Sequence, residues 1–344
     1  MARLPYMKEA RPTISVCIAN YNGEHLLEHC IDSVLHQDID ADVEIIVHDD
    51  ASTDGSLDLL AVRYPEVRVI ASLENIGFSV SCNRIAAVAR GDHLLMLNND
   101  AALLPDALQT LLEARKQIDS PCILSLPQRD WATGQLVDRG CLLDPFNNPV
   151  PNLDHARYDV AYVIGALLWI DRSMWDSLGG FPEWMESIGE DLYLCGVARL
   201  QGLPVRCIDR SGYRHRQGTS FGGNRANGEI RSTFRRRRLS ECNKTRALCI
   251  LTPGVAMVPL VAMHWISLAA EGVILCIIKD SAALWQQVYW PALKVPFGEF
   301  RRLCQLRGTV QATRRIDQAE WFSRTAWQFR KLAMLFRHGF PNVD

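Results

Sequence analysis

Two amides and a carboxylate, Asn98-Asn99-Asp100, interrupt an apolar run in LLMLNNDAAL, residues 94–103. Amide and carboxylate oxygens in one turn are the donors that hard divalent cations take. Three more polar clusters stand in comparable places. Asn20-Tyr21-Asn22 ends TISVCIAN, Asp49-Asp50-Ala51-Ser52 follows VEIIVH, and Gly189-Glu190-Asp191 precedes LYLCGVARL. A carboxylate can take a proton from an attacking hydroxyl, so the Glu190-Asp191 pair is a candidate general base. Neighbours on a helix point about 100° apart, so one of the two faces a substrate. Each cluster also has a plain structural reading. Ser52, Thr53 and Asp54 suit helix N-caps, and acidic residues are favourable at a helix N-terminus.

The elements around these clusters set their positions. Residues 13–126 alternate short apolar runs (TISVCIAN, VEIIVH, VRVIAS, HLLML, CILSL) with helix-length stretches that end near Gln37 or follow Asp54, Gly77 and Pro105. Such alternation predicts βαβ units and a mostly parallel sheet of the α/β class. Open sheets of this kind bind ligands beyond the carboxyl ends of their strands, where three of the clusters fall. Residues 127–160 are rich in Pro, Asn, Asp and Gly and predict a long ordered loop or lid. A second block follows, with AYVIGALLWI as a strand, DRSMWDSLGGF as a short helix closed by Gly179-Gly180, a helix after Gly189, and LPVRCI as a strand.

From Arg231 the character changes. RSTFRRRRLSECNKTR is basic, and residues 247–270 carry no formal charge apart from His264. That length exceeds the roughly 20 residues needed to cross a bilayer. Pro253, Gly254 and Pro259 interrupt it, Glu271 ends it, and basic residues flank both sides. An interfacial or re-entrant segment is the favoured expectation, with a spanning helix and a buried dimer helix as alternatives. The tail from Leu306 mixes aromatic and arginine residues, which fits either a helix lying on anionic lipid or an ordinary solvated amphipathic helix.

Composition narrows the remaining classes. The chain has 344 residues, 48% hydrophobic and 22% charged, enough for a sizeable core. A net charge of −2 argues against nucleic-acid binding by bulk electrostatics. Eleven scattered cysteines without a C-x-x-C pair read as reduced thiols, and MARLPYMKEARP lacks the apolar core of a secretory signal. A cytosolic first domain is therefore expected.

Five stretches together, SVCIANYNGEHLLEHCIDSVLHQ, VHDDASTDGS, ENIGFSVSCNRIAAVARGDHLLMLNND, GGFPEWMESIGEDLYLCGVARLQG and HRQGTS, resemble the family 2 glycosyltransferases of GT-A fold, over residues 13 to about 220. The resemblance implies a nucleotide-sugar donor. It places Asp50, with Asp49 beside it, at the pyrimidine base, and Asn20, Asn22, Asn75, Asn98 and Asn99 in the nucleotide site, with Arg84 near the diphosphate. Asp100, in the position of the family's metal-binding D-x-D, implies a Mg²⁺ or Mn²⁺ ligand, with His215 as a possible second. Asn98 replaces the first aspartate of that motif, which leaves one negative charge instead of two and implies weaker metal binding. Asp191 aligns with the family's catalytic base, next to Glu190. Trp169, Trp175, Phe181 and Trp184 would stand on the acceptor side, as sugar platforms or as core.

The resemblance also divides the chain into an arm (1–12), a nucleotide-sugar-binding half (13–126), an acceptor-binding and catalytic half (127–230) and a helical membrane-associating region (231–344). It leans towards a rhamnosyltransferase-like branch, with dTDP-L-rhamnose as donor and a lipid-linked or glycan acceptor for cell-surface polysaccharide. Such an enzyme would sit on the cytoplasmic face of the inner or plasma membrane, peripheral or monotopic, as a possible homodimer. A catalytically inactive partner in a glycan-assembly complex is the alternative that Asn98 raises. A nucleotidyltransferase would carry a Gly-rich basic loop where this chain reads ANYNGEHLLEHC.

Overall fold

The computed structural model describes residues 13–216, 231–340 and 342–343. The arm 1–12 and the Gly218-Thr219-Ser220 end of the HRQGTS stretch lie outside the described residues. The first half runs β1 (Ile14–Asn20), α1 (Glu24–Leu35), β2 (Val43–Asp49), α2 (Ser56–Arg63), β3 (Arg68–Ala71), α3 (Phe78–Val88) and β4 (His93–Leu97). Then come β5 (Ala101–Leu103), α4 (Ala107–Lys116) and β6 (Ile123–Ser125). The second half holds β7 (Gln128–Asp130), β8 (Leu136–Asp138), β9 (Cys141–Leu143), β10 (Pro149–Pro151), β11 (Leu167–Asp171), α5 (Arg172–Leu178), α6 (Glu190–Leu200), β12 (Val205–Cys207) and β13 (Tyr213–His215).

Seven strands form the central sheet in the order β12-β6-β11-β4-β1-β2-β3. β1 lies parallel to β2 and β4, with Asn20 in register with Asp49, whereas β11 runs antiparallel to both β4 and β6. The sheet is thus mostly parallel with one reversed strand. Ile14, Val16, Ile18 and Ile46 are fully covered, as a sheet packed by helices on both faces requires. The predicted strand AYVIGALLWI is shorter in the structure: pairing begins at Leu167, and Gly165 ahead of it turns its N–H to Asp191.

The stretch 127–160 is more ordered than a loop. A second sheet, β5-β13-β7-β8, and the β9–β10 pair account for much of it. β7 takes β13, distant in sequence, as one of its partners, so local patterning could not reveal this sheet.

Beyond residue 231, α7 (Phe234–Leu251) and α8 (Met257–Ile278) are followed by α9 (Ala282–Leu284), a π-helical turn at Trp285–Tyr289, α10 (Trp290–Gly298), α11 (Phe300–Ala312), α12 (Gln318–Phe322) and α13 (Arg330–His338). Thr233 caps α7 by accepting from the Arg236 N–H at 3.2 Å. Pro253 and Gly254 precede α8 and Pro259 sits in its first turn, so none of them breaks it. α8 buries His264, Leu268, Gly272 and Leu275 on one face and exposes Val258, Ile266, Val273 and Ile277. By length and composition Gly254–Ile278 is long and apolar enough to cross a membrane, and 22% of its apolar 18-residue window is buried inside the protein.

Candidate active site

Asn20 is the last residue of β1 and is 1% exposed. Its Nδ2 donates to Asp49 Oδ2 at 2.9 Å, and its Oδ1 accepts from Asn99 Nδ2 at 2.8 Å. The ends of three adjacent strands are thereby tied together. Gly23 lies against this bridge, where a Cβ would collide with Asn20 Oδ1 and Asn99 Nδ2. Asp49 also accepts from the Ser52 N–H at 2.9 Å, and Asn22 Oδ1 accepts from the Thr53 N–H at 2.7 Å. Both therefore hold the β1 and β2 loops in shape.

Asp50 accepts two backbone N–H groups, from Ile76 at 2.8 Å and Gly77 at 2.9 Å. This fixes the approach to α3, whose Gly77 has φ +89°, a conformation that favours glycine. Asn75 donates to the Asp50 carbonyl at 3.4 Å. Arg84 is exposed and donates to Ser72 Oγ at 3.0 Å.

A cleft of about 2230 Å³ opens beyond these strand ends. Typical small-molecule pockets are about 300–1,000 Å³, so it has room for two substrates. Asn20, Asp50, Asn75, Asn98, Asn99, Asp100, Glu190, Asp191 and His215 all line it. Asn22, Asp49 and Arg84 do not line it. None of Trp169, Trp175, Phe181 and Trp184 does either; the first three are nearly inaccessible core, where burial of their rings outweighs any platform role. Trp131 is one of the aromatics on the wall, with the Arg216 guanidinium stacked 4.2 Å from its centroid.

Asp100 and His215 meet across the second sheet, with His215 Nε2 3.1 Å from Asp100 Oδ1. Both are at least nine-tenths buried. Gln128 Oε1 accepts from Tyr213 Oη at 2.9 Å and stands 3.2 Å from His215 Nδ1. A donation from Nδ1 to that oxygen leaves the Nε2 lone pair turned towards the carboxylate, a pairing that a cation would relieve. Two cis ligands at about 2.1 Å around an octahedral cation stand about 3 Å apart, close to the observed separation. Two residues before Asp100, Asn98 Oδ1 is buried without a hydrogen-bond partner among the described residues. Among the described residues no three His, Cys, Asp or Glu side chains form a ready metal cage. The donor set therefore fits a divalent ion whose other ligands come from outside the described residues, such as phosphate oxygens.

On the other wall, Gly189 (φ +99°) starts α6 and delivers Glu190 and Asp191. Asp191 Oδ2 accepts from the Gly165 N–H at 2.9 Å and Oδ1 from the Leu192 N–H at 2.7 Å. Glu190 is 6% exposed, and its Oε2 has no partner among the described residues. Burial, reinforced by the neighbouring Asp191 charge, pushes the Glu190 carboxyl up to about 8. Burial also raises Asp191, against the two N–H groups that favour its charged form. The shared proton belongs on Glu190, which leaves Asp191 ionised and held in place.

Sequence reasoning missed Gln128, Gly23 and Trp131, and it missed which cations line the cleft between α7, α8 and α13. There, Lys244 and Lys331 contact Glu241 at 3.0 and 2.9 Å, Lys331 reaches Glu271 at 2.6 Å, and Arg237 pairs with Glu271. The run Arg235–Arg238 was visible as charge, but which of its members turn inward was not.

Residues 15–148 match the model of the family described as "Glycosyl transferase family 2". A chondroitin synthase of Escherichia coli is 29% identical over 188 residues, which is 53% of this chain and 26% of that protein. The chain thus spans about a quarter of the length of this curated relative. Among solved structures, S. aureus TarS 1-349 in complex with UDP superposes with a TM-score of 0.56 at 16% identity, over 95% of this chain and 92% of that one. The mannosyltransferase PcManGT from Pyrobaculum calidifontis, in complex with GDP-Man and Mn²⁺, gives a TM-score of 0.50 at 18% identity, over 89% and 86%. These likenesses show a mixed α/β fold of GT-A type around a central sheet.

Proposed function

We propose that this chain, which carries a family 2 glycosyltransferase domain of GT-A type, transfers a sugar from a nucleotide-sugar donor to an acceptor hydroxyl with inversion at the anomeric carbon. The observation that carries this reading is the convergence of Asp50, Asp100–His215 and Glu190–Asp191 on one cleft. Asp50 and Asn75 take the base end of the donor. Asp100, His215 and the Asn98 amide oxygen would hold a Mg²⁺ or Mn²⁺ ion, which would supply positive charge against the negative charge developing on the leaving nucleoside diphosphate. The Mn²⁺ in the mannosyltransferase complex agrees with this choice.

Asp191 takes the acceptor proton as the new glycosidic bond forms. Its two backbone donors fix the carboxylate towards the cleft, so little reorganisation precedes proton transfer. Glu190, protonated at neutral pH, keeps a second negative charge away from Asp191. The proposed donor is dTDP-L-rhamnose and the acceptor a lipid-linked or polysaccharide glycan of the cell surface. The exposed apolar face of α8 supports a place on the cytoplasmic membrane surface.

Thermal stabilisation by a panel of nucleoside diphosphates and nucleotide sugars, with and without Mn²⁺, tests the reading directly. Metal-dependent stabilisation by dTDP or UDP is the expected result. A panel in which no nucleotide shifts the melting temperature would sink it.

A further inference from the structure

Past Glu190 and Asp191 the cleft continues between α7, α8 and α13, and its character changes along the way. Nearest the carboxylates it is basic. Arg236, in the first turn of α7, lines the cleft, and its guanidinium has no hydrogen-bond acceptor among the described residues. The acidic group acting on it is Glu190. Arg237, Lys244 and Lys331 lie on the same wall and share only two carboxylates, Glu241 and Glu271. Cations exceed anions there, which leaves positive charge facing open space.

On α8 and around α13 the walls also carry apolar side chains. Met263, Ile266 and Ile274 of α8, with Phe329, Leu332 and Phe340 around α13, line this part while remaining between 40% and 63% exposed. α13 buries none of its residues, so its apolar side meets the cleft and not the core. Large apolar side chains on two walls of one cleft gain about 25 cal/mol per Å² if an apolar occupant fills the space. A bare anion would use only the basic end, and a flat bilayer surface would not reach the carboxylates.

We propose that this arm of the cleft binds an amphiphile, a long-chain lipid with a phosphate headgroup, its chain between α8 and α13 and its phosphate on Arg236. The inference rests on the transferase reading and deepens it: the lipid carries the acceptor, and Arg236 sets the headgroup next to Asp191. The lining combines carboxylates, cations and large apolar side chains in one cleft, the three kinds of surface that such a molecule would meet. It also chooses the lipid-linked acceptor over a soluble polysaccharide.

The test titrates the full chain with dodecyl phosphate below its micelle-forming concentration, beside inorganic phosphate and dodecanol, and separately with dTDP or UDP plus Mn²⁺. Dodecyl phosphate should bind at least about tenfold more tightly than either fragment. Arg236→Ala and Ile266→Asp should each weaken it by about tenfold or more, and neither should alter nucleotide binding. Ile266 is 63% exposed, so its substitution spares folding. Inorganic phosphate binding as tightly as dodecyl phosphate, or variants that bind it undiminished, would overturn the proposal. So would vesicles containing about 30% phosphatidylglycerol that lose the protein on Ile266→Asp while dodecyl phosphate binding stays whole, since that marks a bilayer-facing surface. A wild-type chain that ignores nucleotides but binds dodecyl phosphate keeps the lipid site and overturns the transferase reading instead.

Discussion

His215 presents Nε2 to Asp100 Oδ1 at 3.1 Å across 115 residues of sequence, and Gln128 behind the ring sets which nitrogen is free to do so. Partners that orient a metal-binding imidazole typically change affinity by about 10–100-fold when removed. Gln128→Leu should therefore weaken Mn²⁺ binding by about that factor, read by titration with the nucleotide present. Asn98→Asp should act in the opposite sense, because it restores a second charge to the cluster. Equal Mn²⁺ affinity in all three proteins would remove the ion from this site.

Asp191→Asn keeps the shape of the carboxylate and removes its basicity. General bases contribute about 10²–10⁴-fold, so kcat should fall by that range while nucleotide affinity stays within about twofold. Steady-state kinetics combined with nucleotide titration separates the two effects. Transfer at near wild-type rate would move the base elsewhere.

Glu190 gives a pH prediction with a definite sign. Its folded pKa of about 8 lies above that of a free glutamate, so the unfolded chain gives up this proton first as pH rises. Its stabilising contribution is whole below the unfolded value near 4.5 and is lost as pH climbs to about 8. Glu190→Gln should match wild type in melting temperature at about pH 5 and exceed it at about pH 8. Parallel melting curves for the two proteins across that interval would refute the shift.

Glu241 has the opposite sign. The ammonium groups of Lys244 and Lys331 hold its buried carboxylate well below the usual range, against the cost of burial. Glu241→Gln strands those cations in the interior, and breaking a buried pair in this way costs about 3–5 kcal/mol. Urea denaturation at neutral pH measures it. The deficit should shrink as acid titrates the wild-type carboxylate.

Gly23→Ala tests the bridge at the strand ends. Its Cβ would push apart Asn20 and Asn99, leaving buried amides unpaired at a cost of about 1–3 kcal/mol. Nucleotide affinity should fall with stability, because the same bridge sets the Asn99-Asp100 turn. Unchanged binding and melting would show that the bridge positions nothing.

Much of the fold was legible because its signals are local. Alternating apolar runs and helix-length stretches marked β1 to β4 and the helices between them, and the polar residues closing each strand marked the cleft. Glycine at 189 followed by two acids marked the start of α6. Direction was not legible in β11, because a strand covered on both faces carries the same apolar run whether it lies parallel or antiparallel.

The sequence by itself therefore determined the kind of fold and the chemical types available, since side-chain period, caps and strand ends depend on neighbours within a few residues. Tertiary structure decided which of those residues share a task. It turned Asp49 and Asn22 into loop ties, left Arg84 outside the cleft, buried the aromatics offered as sugar platforms, and set Gln128 behind His215. The physical reason is distance in sequence. Hydrogen bonds and pKa shifts act over a few ångströms, and the groups within that reach of Asp100 or Glu190 come from segments that only the completed sheets and helices bring together.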